Sequence, residues 1–60
     1  MKRGDKVKLN KEYKGVPQGT KGRVVDVWNN TTVVAFSATP WLSEFDEDKV
    51  KEYLQIDENT

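Results

Sequence analysis

Apolar and polar positions alternate over short distances from the start of the chain. Val7 and Leu9 are interleaved with Lys6 and Lys8, the period-two pattern of a half-buried strand, which predicts a first strand over about 5–10. The stretch 11–18 is polar and interrupted by Gly15 and Pro17, so it reads as a loop. Gly19-Thr20-Lys21-Gly22 then opens a second strand over 20–28. Its two glycines point either to positive φ or to close approach of another backbone. Val24, Val25, Val27 and Trp28 do not alternate cleanly, which predicts a bulge or strong coiling along that strand. Asn29-Asn30 is a two-residue hairpin turn, because asparagine tolerates the left-handed conformation. A third strand follows over 31–37, with Val34 and Phe36 on one face and Val33 and Ala35 on the other.

The last third of the chain admits two patterns. Thr39-Pro40 is a break, after which strand four runs over about 41–45, a single helical turn covers 46–49, and a last strand covers 50–56. Val50, Leu54 and Ile56 fit that strand, whereas Val50, Tyr53 and Leu54 fit a helix with Phe45 in its stripe and Ser43 or Asp46 as its cap. With the strand preferred, the pattern predicts an all-β fold: one domain over 1–60, a five-stranded barrel with one short helical turn near 46–49.

Composition narrows what such a barrel can do. The 60 residues include no cysteine and no histidine, which removes disulfides, thiolate metal sites and imidazole chemistry. A general base would have to be a carboxylate or lysine with a strongly shifted pKa, which needs burial that so small a domain rarely supplies. The acids Glu44, Asp46, Glu47 and Asp48 crowd into five positions but lack the spaced ligands and glycine of a calcium loop, and they suit a solvated helix N-terminus instead. The expectation is therefore a protein that is not an enzyme and that has no catalytic residues, metal, cofactor or small-molecule substrate. No stretch has the length and apolarity of a membrane span, and Met1-Lys2-Arg3 leads into a charged strand. A cytoplasmic protein with no membrane partner is expected. The overlapping sequons at Asn29 and Asn30 are turn chemistry on that view.

Charge is balanced in total and uneven along the chain. Residues 1–23 carry eight basic and two acidic side chains, a net of plus six, and residues 24–60 carry the opposite, minus six. In a barrel the two halves interleave, and they neutralise each other across adjacent strands as readily as they form two patches.

Gly4-Asp5-x-Val7-x-Leu9, Gly15-Val16-Pro17-x-Gly19-Thr20-x-Gly22-x-Val24-Val25-x-Val27, Val34-x-Phe36 and Asp48-x-Val50 together span nearly the whole chain. With this set of glycines and valines the chain resembles the small SH3-like β-barrels. Within that group, the Gly19-to-Val27 block looks like the turn of KOW-type domains of ribosomal and transcription proteins, and like that of small uncharacterised bacterial barrel proteins. The spacing from Arg3-Gly4 to Phe45-Asp46-Glu47-Asp48 is also similar to the small peripheral subunit of photosystem I. The resemblance implies a fold and leaves the partner open.

Two kinds of partner follow from the side chains. Docking on a protein or larger complex would use Tyr13, Val16 and Pro17 in the 11–18 loop, with Trp41 and Leu42 beyond Pro40, since large amphipathic side chains at loop ends serve as anchors. Trp28 is expected to close one end of the barrel, and Trp41 fits core or surface equally. The alternative is nucleic acid, with Lys6, Lys8, Lys21 and Arg23 on phosphates and Tyr13 or Trp28 offering a stacking surface. A net charge of zero runs against it. The glycine-rich block lacks the lysine and hydroxyl arrangement of a phosphate cradle, so function is sought around it rather than in it.

Overall fold

Val7 and Leu9 turn inward, as their alternation requires, and the strand that carries them is β1 (Lys6–Leu9). A computed structural model describes residues 1–57 and continues with β2 (Lys21–Trp28), β3 (Thr31–Phe36), β4 (Leu42–Asp46), α1 (Glu47–Tyr53) and β5 (Leu54–Ile56). All pairings are antiparallel, in the order β4-β3-β2-β1-β5. The five strands curl into a half-barrel with one short helix. Its concave side holds the core of Val7, Leu9, Tyr13, Val16, Val24, Val34, Phe36, Phe45 and Leu54, with Val50 and Tyr53 of α1 packed against it.

The turns are those that the residue types dictate. Asn29 and Asn30 both take positive φ, 48° and 60°, which sets β2 and β3 at the twist that a two-residue hairpin needs. The predicted bulge falls at Val25: Val24 faces Val34, and the next paired residue, Asp26, faces Val33. This extra residue reverses the alternation beyond it. Trp28, expected at the barrel's end, is thereby turned to the convex face opposite Thr31, 53% exposed. The two glycines at the start of β2 divide the expected roles. Gly19 has φ 86°, and Gly22 meets a neighbouring strand closely.

Beyond Asp46 the helix runs further than the single turn over 46–49, and β5 is shorter than the strand over 50–56. The Asp46 carboxylate accepts from the Lys49 amide at 2.9 Å, while Glu47 and Asp48 lie in the first turn and Lys51 in the last. Cap and charge both complement the helix dipole. With the start fixed, the helical period brings Val50 and Tyr53 to the core, and Leu54 returns to extended backbone at φ −110°.

Candidate functional site

The polar stretch between β1 and β2 is not an open loop. Tyr13 and Val16 exchange backbone hydrogen bonds of 2.9 and 2.8 Å around Lys14 (φ 47°) and Gly15 (φ 85°). This is a tight hairpin of its own, with both central residues left-handed. It points Tyr13 inward, 7% exposed, with its ring centroid 4.7 Å from that of Phe45 and 4.8 Å from that of Tyr53. Val16 is buried in the same cluster. Expected as surface anchors, both are core residues, because a hairpin whose flanks are aromatic and β-branched buries them as any strand pair would. The signal was Tyr13-Lys14-Gly15-Val16 itself, a glycine turn between two β-forming residues.

The arm is tied at its base to the helix. Asn10 donates its amide to the Tyr53 carbonyl at 2.6 Å and its side-chain Nδ2 to the Leu54 carbonyl at 3.3 Å. Lys11 Nζ pairs with Glu52 and sits 5.0 Å from the centre of the Tyr53 ring. The hydrogen bond to Glu52 raises the Lys11 ammonium above the usual lysine range, against an opposing desolvation that lowers it.

Between this arm and the start of β4 lies a groove of about 380 Å³. Tyr13 and Lys14 form one side, Trp41 to Glu44 the other, and Lys49 of α1 completes the lining. Trp41 and Leu42 are each 58% exposed. The 11–18 stretch and the segment after Pro40, singled out separately along the sequence, thus meet at one place. Pro17 is exposed but does not line the groove. It stands in the turn before β2, where its carbonyl accepts the Thr20 hydroxyl at 2.8 Å.

A second surface lies on the convex side of β1 and β2. Lys6 stands directly opposite Arg23, and Lys8 directly opposite Lys21, so four cations share one face at two successive registers. Like charges in direct register repel. Part of the compensation comes from Asp57, which is buried just after β5, donates its amide to the Lys6 carbonyl at 2.8 Å, and brings its carboxylate to 3.8 Å from Lys21 Nζ. Lys6, Lys21, Arg23 and Asp57 also line a shallow depression of about 390 Å³ that reaches to Phe36 and Ser37.

The acidic run is dispersed by the fold. Glu44 lies on β4, Asp46 caps α1, and Glu47 and Asp48 form its first turn. Among the described residues, no three carboxylates converge as a metal site would require, and no helix is long and apolar enough to cross a membrane. Comparison of the chain with protein-family models, with curated proteins and with solved structures finds no match.

Proposed function

We propose that this chain is a non-enzymatic docking module of the SH3-like barrel type that captures a partner protein in the groove between the Tyr13–Val16 hairpin and β4. One observation carries the reading: Trp41 and Leu42, two large apolar side chains, stand more than half exposed on the wall of a formed groove. Exposed tryptophan beside a groove is the usual composition of an interface anchor, and truncating such an anchor removes about 2 kcal/mol or more of binding energy. Lys14 and Lys49 on the same lining supply steering rather than bulk affinity. A small five-stranded antiparallel curled sheet with one short helix is compatible with that barrel type and supports the reading.

Trp41→Ala is expected to weaken partner capture about 30-fold and to leave thermal unfolding within a few degrees of wild type. The measurement is affinity capture from the native cell with wild-type and Trp41→Ala baits, read by mass spectrometry. Identical retention by the two baits would refute the anchor, and loss of folding would place Trp41 in the core.

A second reading rests on the Lys6/Arg23 and Lys8/Lys21 pairs, since four cations in register present a track that phosphates would neutralise. On that reading the chain binds RNA or DNA with log K falling against log salt at a slope of about −3 to −4, for about four phosphate contacts. Titration with single- and double-stranded RNA and DNA at low salt decides it; no binding removes this reading.

A further inference from the structure

We infer that β4 receives an extended, acidic segment of the partner protein as an added strand, an inference that rests on the docking reading above. Among the described residues, β4 ends the strand order and pairs only with β3. The direction of its main-chain groups follows from the ladder. Ser37 donates its amide to the Lys21 carbonyl at 3.0 Å, so Ser37 faces β2, and by alternation Phe36, Val34 and Thr32 face β4. Ser43 opposite Val34 and Phe45 opposite Thr32 therefore direct their amides and carbonyls at β3. Leu42 and Glu44 direct theirs the other way. Both residues are exposed, and among the described residues their outward amides and carbonyls have no partner.

Folded proteins ordinarily blunt such an edge with brevity, proline or lysine. β5, the other edge, is three residues long. β4 has five residues, and Pro40 lies outside it. Glu44 is the one charge before the helix cap, and the exposed Trp41 and Leu42 stand at its start. The edge borders the groove, so a strand laid along it places alternate side chains beside Trp41. The charge of the lining selects the occupant. Lys14 and Lys49 are in no ion pair among the described residues, and Glu44 is the single carboxylate beside them. An acidic side chain of the incoming strand is favoured and a basic one is not.

The test selects a random octapeptide display library against the full chain. Acidic peptides with alternating apolar residues are expected to enrich. N-methylation of a selected peptide at alternate residues is expected to lower its affinity at least tenfold, and methylation of the residues between them to change it little. Glu44→Pro deletes one outward amide and leaves the pairing with β3, so the same tenfold loss is expected with thermal unfolding preserved. Should that variant not fold, the methylation scan decides alone. Peptides that need Trp41 yet ignore methylation overturn strand addition while the docking reading stands. A library that yields no binder also overturns strand addition, and docking then rests on the Trp41→Ala capture experiment. A concentration-dependent dimer in sedimentation that Glu44→Pro abolishes makes a second copy of the chain the occupant and overturns the partner segment.

Discussion

Phe45→Ala is expected to remove a large part of the stability of the chain. Phe45 is fully buried on β4, and its ring touches three others: Tyr13 at 4.7 Å, Phe36 at 6.0 Å and Tyr53 at 6.4 Å between centroids. Those rings belong to the arm, to β3 and to α1, so one side chain joins four segments of the fold. Removing a buried phenylalanine costs about 3–5 kcal/mol, through lost transfer energy and the cavity left behind. A domain of this length has a total stability of about 3–9 kcal/mol, at about 0.05–0.15 kcal/mol per residue. The loss is therefore a large part of the whole. Circular dichroism with chemical denaturation measures it, and a loss below about 1 kcal/mol would show that the aromatic cluster does not hold the fold.

Gly22→Ala is expected to be nearly as damaging for a different reason. A Cβ at Gly22 would lie 2.7 Å from Phe36 Cδ1, 2.9 Å from the Ala35 carbonyl oxygen and 2.9 Å from Val34 Cγ1. One of these atoms is main chain of the paired strand, so relief requires opening the β2–β3 ladder, the longest in the sheet. Overpacking of this kind costs about 1–3 kcal/mol, and the upper end is expected where backbone must yield. Gly15→Ala is the control. Nothing lies within 4 Å of its added Cβ, and its cost arises only from φ 85°, about 1–2 kcal/mol. If the two variants shift the denaturation midpoint equally, close approach is not the reason for Gly22.

The sheet was legible where period two was unbroken. Val7 and Leu9, the Asn29-Asn30 turn and the Val34/Phe36 face each follow from local rules, and so does the presence of a bulge in β2. The side on which Trp28 emerges was not legible, because it depends on which single residue bulges, and Val24, Val25 and Val27 have equal claims by propensity. The helix reached Tyr53 because the Asp46 cap sets the period that Val50 and Tyr53 then satisfy, whereas Val50, Leu54 and Ile56 fit a strand equally well in the sequence. For the groove, the sequence marked two segments and Trp41. It did not show that they meet, nor that Tyr13 belongs to the core wall, since both depend on a hairpin hidden in a polar stretch. The cross-strand match of Lys6 with Arg23 and Lys8 with Lys21 is likewise a matter of register, fixed by turns far from those residues.

Tyr13 belongs at once to the wall of the groove and to the interior that keeps the chain folded. On the proposed docking reading, occupancy and cohesion are thermodynamically linked at a single ring. A ligand at one hundred times its dissociation constant adds about 2.7 kcal/mol to the folded state, a large increment for a domain this small. The bound and free forms would then differ more in lifetime against unfolding and proteolysis than in shape, and the partner's abundance would set how much of this protein persists in a cell.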